Sequence, residues 1–82
     1  MATVIVKGEF INNPNANNIG LAHFVHCVAT GGTQSVIVKE AGGTTLGNIY
    51  LHGAGDSIII EKAPGDTITI TDGHASAVGS PR

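Results

Sequence analysis

The residues best suited to chemistry lie in one short run, HFVHC, at residues 23–27. Imidazole and thiolate groups are zinc ligands, but a zinc site needs three or four of them converging on one point. Side chains alternate along a strand, so His23 and Cys27 are predicted to share one face and His26 to lie on the other. His52 or His74 would have to complete the site. The competing interpretation is a buried thiol acting as a small hydrophobe, with the histidines bonded to backbone. It is favoured here, so no metal ligand and no cofactor is assigned.

The same residues do not predict a catalytic site. His26 and Cys27 are adjacent on a strand and point in opposite directions, while His23 approaches the thiol only loosely and has no orienting partner. The carboxylates mostly adjoin turns, and their spacing favours neither paired-carboxylate hydrolysis nor a calcium loop. The glycines lack the Lys-Ser/Thr ending of a phosphate loop. The sequence therefore predicts a protein that is not an enzyme, and the four dispersed histidines are the only support for the alternative of a small barrel enzyme.

Apolar alternation broken by Gly, Pro, Asn and Asp predicts an all-β chain. About seven short strands are expected at residues 3–10, 21–29, 34–40, 45–51, 57–62, 67–71 and 74–79. This spacing is typical of a small antiparallel β-sandwich or barrel, and residues 1–82 are expected to form one domain. Strands joined by short turns should pair as meanders, whereas the Asn-rich loop at residues 12–18 could cross between sheets.

Local patterns predict several finer features. Val4, Val6 and Phe10 should share one face of the first strand, and both phenylalanines are expected in the core. Strand 21–29 is mostly apolar, which predicts a central position in its sheet with both of its faces covered. Ile68 and Ile70 should point inward. Pro64-Gly65 predicts a type II turn, Asp72-Gly73 a tight turn and Gly47 a bulge. Asp56, Glu61 and Lys62 should protect the Ile58–Ile60 run against strand aggregation.

Size and charge limit the possible partners. A domain of 82 residues has a marginal core, and its one cysteine excludes an intramolecular disulfide, which leaves a metal or oligomerisation as the supplement. Four scattered basic residues and three aromatic residues disfavour nucleic-acid binding. No apolar run approaches the length of a membrane span and no leader is recognised, so a soluble protein made in the cytoplasm is expected. Only 12% of residues are charged, so the surface is expected to be either rich in Thr, Ser, Asn and Gly or partly covered by neighbouring subunits.

Two stretches resemble small virion proteins of tailed bacteriophages, particularly those of marine and cyanobacterial hosts. They are the opening MATVIVKGEF and the run from Ile49 to Ile68 that contains SIIIEKAPGDTI. The resemblance implies a capsid decoration or cement protein, or a small tail or neck component. Such a protein would assemble as a homo-oligomer in the virion and contact other virion proteins such as the major capsid protein. It carries over no catalytic residue. A carbohydrate- or host-surface-binding β-module is the alternative, and it would expose Tyr50 beside Asn or Asp side chains.

Overall fold

A computed structural model describes residues 5–79 and contains eight strands in two antiparallel sheets. The predicted all-β sandwich is confirmed, with about the predicted number of strands. Residues 3 and 4 of the predicted first strand and the tail at 80–82 lie outside the described residues. No helix in this range has the length and apolarity that crossing a membrane requires. The strands are β1 Ile5–Val6, β2 Ile11–Asn12, β3 Phe24–Ala29, β4 Gln34–Lys39, β5 Thr45–Leu51, β6 Ser57–Glu61, β7 Thr67–Thr69 and β8 Gly73–Gly79.

Five strands form the larger sheet and three form the smaller one. The larger sheet has the order β1-β8-β3-β6, with β2 pairing β8 beside β1, and the smaller has the order β5-β4-β7. The predicted meander is wrong, because β4 and β5 are the one pair of successive strands in residues 5–79 that hydrogen-bond to each other. The other short connections either cross between the sheets or join strands that share a sheet without pairing. Crossing places the apolar faces of successive strands against each other across the core.

The core lies between the two sheets and follows strand alternation. Val25, Cys27 and Ala29 of β3 are buried, whereas the residues between them are half-buried on the outer face. The central position of β3 is confirmed, but the prediction that both of its faces are covered is wrong. Ile68 and Ile70 point inward as predicted, with exposures of 0% and 1%. Each such aliphatic side chain stabilises the fold by roughly 1.5–3 kcal/mol.

The first predicted strand is interrupted. Val6 pairs with Val78 and Ile11 pairs with Ala75, so four residues at 7–10 span the space opposite only two residues of β8. The extra length makes the segment bulge away from the sheet. Phe10 is consequently 59% exposed and stacks on His74, with ring centroids 4.3 Å apart. The prediction that both phenylalanines lie in the core is wrong, since Phe24 is also only half-buried on the outer face of β3.

The expected crossing at the Asn-rich loop is wrong, because the strands on both sides of the loop, β2 and β3, belong to the larger sheet. The loop leaves that sheet, contacts β7 of the smaller sheet and returns. Asn17 exchanges backbone hydrogen bonds with Ile68 at 3.1 and 2.8 Å. The backbone N–H of Ile70 donates to the Pro14 carbonyl at 2.9 Å, and the Ala16 N–H donates to the Thr69 hydroxyl at 2.9 Å. The loop therefore covers the outer edge of β7 with backbone partners.

The turn predicted at Pro64-Gly65 forms, but its geometry and the position of the predicted bulge differ from the predictions. Asp66 N–H donates to the Ala63 carbonyl at 2.9 Å, so Pro64-Gly65 does form a β-turn. Gly65 lacks a positive φ, which makes the predicted type II geometry wrong. The bulge predicted at Gly47 falls one residue earlier, because Val38 pairs with Gly47 and Lys39 with Thr45.

The predicted tight turn at Asp72-Gly73 is displaced, because Gly73 already belongs to β8 and pairs with Ala29. The chain bends at Thr71 and Asp72 instead. This bend carries the chain from the smaller sheet to the larger sheet, so it does not form a hairpin.

Candidate functional site

The structure separates the side chains of the His-Cys run. Cys27 lies fully buried between the sheets, and burial raises the pKa of its thiol from the ordinary 9.0 to about 12. The thiolate that a zinc site or a nucleophile needs is therefore strongly disfavoured. His23 is exposed just before β3, and its Nδ1 lies 2.7 Å from the Lys62 carbonyl oxygen. His26 projects from the opposite face of β3, as alternation predicted.

The two remaining histidines are equally dispersed. His52 is exposed after β5, with its ring edge-on to Tyr50 at 6.0 Å between centroids, and its backbone N–H donates to Asp56. His74 lies on the outer face of β8 under Phe10. Among residues 5–79, no three His, Cys, Asp or Glu side chains converge in a way that would hold a metal ion.

Lys62 is buried instead of standing in solvent beside the Ile58–Ile60 run. Its side chain is 5% exposed, and its ammonium donates to the carbonyls of Ala63 at 3.3 Å and Pro64 at 3.1 Å. Burial lowers the pKa of this amine, and the nearby negative charge of Asp66 partly opposes the shift. The predicted protective role therefore falls to the exposed Asp56 and Glu61, while Lys62 holds the turn that follows β6.

The bulged segment at 7–10 creates a groove that the sequence did not reveal. It is open, has a volume of about 620 Å³, and lies on the outer face of the larger sheet. His26 and Ser76 are cross-strand partners in its floor. Neither side chain has a hydrogen-bonded orienting partner among the described residues, so the pair is not arranged as a base and nucleophile. The groove is lined by Val6, Gly8, Glu9, Phe10, His26, Ser76 and Val78.

A second surface lies on strand β5, at the outer edge of the smaller sheet. All residues from Ala41 to Tyr50 are exposed, including three large apolar side chains. Ile49 points to the same side as its buried cross-strand partner Val36, yet it is 39% exposed. We call Leu46, Ile49, Tyr50 and the unpaired backbone edge of Thr45–Leu51 the β5 surface. The exposures of Leu46 and Tyr50 are 54% and 61%.

The β5 surface is also devoid of charge. No Asp, Glu, Lys or Arg occurs between Glu40 and Asp56, and no proline does either. Natural sheets usually protect an exposed edge with charge, proline or a covering segment. The composition of residues 41–55 was visible in the sequence, but the sequence did not show that β5 would be an edge strand.

Comparisons with known proteins add no identity. A scan against protein-family models, a search of curated proteins and a search of solved structures each found no match.

Proposed function

We propose that the protein is a non-enzymatic structural subunit of a tailed-phage virion. In this proposal it assembles as a homo-oligomer and decorates the capsid, where it stabilises the particle. The observation that carries the proposal is the β5 surface, an uncharged strand edge flanked by exposed apolar side chains. A surface of this kind is suited to contact with other protein subunits.

The size of the domain supports assembly. A chain of 82 residues buries only about 60–65% of the surface that its unfolded form exposes, so its own core supplies a small margin of stability. Subunit contacts add to that margin because association stabilises only the folded state. Exposed apolar residues also occur at Ile5, Val6, Phe10 and Leu21, away from β5. A subunit that contacts both its own copies and another virion protein needs more than one such surface.

The virion setting is supported by the resemblance of residues 1–10 and 49–68 to small phage virion proteins. The first three residues of the second stretch belong to β5, and the remainder runs through β6 and the turn at Pro64 to the first two residues of β7. The major capsid protein is the expected partner of a decoration subunit. A tail or neck position remains the alternative within the same class.

Quantitative mass spectrometry of density-purified particles tests this proposal. For a decoration subunit we expect the chain in a fixed ratio to the major capsid protein, with a copy number that scales with the capsid lattice. A few copies per particle would place it in the tail or neck instead. Recovery only in the unassembled fraction would overturn the virion assignment.

One observation favours a second candidate, a carbohydrate-binding module. Tyr50 is exposed, and alternation along β5 places Asn48 on the same outer face. An aromatic ring beside an amide is a common arrangement for stacking and hydrogen bonding a sugar. Glycan-array binding that the Tyr50→Ala variant loses would support this candidate. A protein that binds no glycan would leave the structural proposal without this competitor.

A further inference from the structure

We propose that two copies of this chain join edge to edge along β5, antiparallel about a two-fold axis near Asn48. The two three-stranded sheets would become one continuous six-stranded sheet. The inference deepens the proposed function and rests on its homo-oligomer component. It specifies which surface carries the subunit contact.

The other sheet edges in residues 5–79 are each protected. The loop at Asn17 covers β7 through paired backbone hydrogen bonds. The edge beside β8 is split into the two-residue strands β1 and β2 by the bulge between them. β6 is five residues long, with Asp56 immediately before it and Glu61 at its end. Charges, bulges and covering segments are the usual defences against edge pairing.

The edge of β5 has one of these defences, the bulge at Leu46, and the rest of the edge is unpaired. It is seven residues long, which gives an edge of about 24 Å at 3.4 Å per residue. The longest dimension of the molecule is 32 Å, so this edge is about three quarters as long as the molecule. Alternate residues of an edge strand present unpaired N–H and C=O groups. A second β-strand is the partner that satisfies them all.

Self-complementarity favours a second copy of this chain as the partner. With the axis at Asn48, the central residue of β5, each Asn48 faces its own counterpart. An amide both donates and accepts, so two identical asparagines can pair. Gly47 would lie opposite Ile49 of the second copy, and a Cβ at Gly47 meets no atom within 4 Å, which leaves space for that side chain. With no charge on residues 41–55, no like charges meet across the axis.

A charge-swap experiment tests the pairing. Asn48→Lys and Asn48→Asp each place like charges opposite one another, so each variant should dimerise at least about tenfold more weakly than wild type in analytical ultracentrifugation. Mixing the two variants should restore dimers, because lysine then faces aspartate. Ser57→Lys is the matched control, because Ser57 is exposed on β6, the strand at the opposite, charge-flanked edge of the larger sheet. This variant should dimerise as the wild type does. Circular dichroism at each step checks that the variants are folded.

Disulfide cross-linking tests the register. The native Cys27 is buried, so Asn48→Cys supplies the one accessible thiol of the described residues. Directly opposite residues in an antiparallel pair have Cα atoms about 4.5–5.5 Å apart, within the range a disulfide spans. Mild oxidation should convert Asn48→Cys to a covalent dimer and leave Ser57→Cys largely monomeric.

The outcomes separate this inference from the function on which it rests. Wild-type oligomers that persist in both charge variants would overturn the β5 interface while leaving homo-oligomeric assembly intact. Cross-linking of Ser57→Cys but not Asn48→Cys would move the interface to β6 and overturn the inference. A monomeric wild type would overturn both the interface and the homo-oligomer. The virion assignment is then decided separately by the composition of purified particles.

Discussion

Gly73 is the position at which one added methyl group should damage the fold most clearly. It begins β8 on the core-facing side, directly opposite Ala29 of β3. A Cβ built there would collide with the backbone carbonyl oxygen of Val28 and lie 2.8 Å from Cγ2 of Ile70. The first obstacle is backbone within the central strand pair, so a side-chain rotation cannot relieve it. Gly73→Ala must therefore push β8 away from β3 or shift the smaller sheet.

The expected cost follows from the collision. Overpacking a well-packed core typically costs about 1–3 kcal/mol. For a chain of 82 residues, a cost of about 2 kcal/mol lowers Tm by about 8–16 °C. Gly42→Ala is the matched control, because Gly42 has no positive φ and a Cβ there meets no atom within 4 Å. That variant should be neutral or up to about 1 kcal/mol more stable.

Thermal unfolding followed by circular dichroism gives the comparison directly. All proteins should be measured at one concentration, because association makes Tm concentration-dependent. If Gly73→Ala melts with the wild type, the tight approach of β8 to β3 is wrong. Equal destabilisation of Gly42→Ala would show that a general effect of replacing glycine, and not the collision, sets the cost.

Two further predictions concern buried titratable groups. The Cys27 thiol should react with a thiol-specific reagent only when the protein unfolds. Because the pKa of this thiol rises to about 12 in the folded state, the folded protein keeps the proton that the unfolded chain loses above pH 9. The free energy of unfolding of the wild type, relative to that of Cys27→Ala, should thus fall by up to about 1.4 kcal/mol per pH unit between pH 9 and 12. Rapid labelling of the native protein would refute the first prediction, and a free-energy difference that does not change with pH would refute the second. The pH dependence of stability has the opposite sign for Lys62, because the pKa of its amine is lowered in the folded state. The free energy of unfolding, relative to that of Lys62→Met, should therefore rise as the pH increases through the folded pKa towards 10.5. Denaturant titrations across this range check both, and a Lys62 difference that does not change with pH would show that burial does not perturb the amine.

Local sequence signals predicted the elements that depend on local chemistry. The bounds of β5 and the start of β4 agree with the structure, because glycine turns on both sides limit these strands. The inward positions of Ile68 and Ile70 follow directly from alternation. The placement of Cys27 in the core and His26 on the opposite face was predicted for the same reason.

Features that depend on distant partners were missed. The break at residues 7–10 arises because β1 and β2 pair with the two ends of β8, between 62 and 74 residues later in the chain. The exposure of Phe10 and the groove follow from that break. Gly8 was the one local sign of it, since a glycine inside a strand often marks a bulge. Likewise, the missing charge around β5 was readable, but its edge position depends on sheet order.

Native mass spectrometry over a range of protein concentrations tests the central claim, that this chain is an assembly subunit, most directly. We expect a closed oligomer of defined stoichiometry built from two-fold pairs, with no added mass beyond the protein. A monomer that persists at the highest concentration would contradict the claim and would favour a binding domain that acts alone. An added mass near that of zinc would contradict the assignment of the histidines and Cys27 to structural roles.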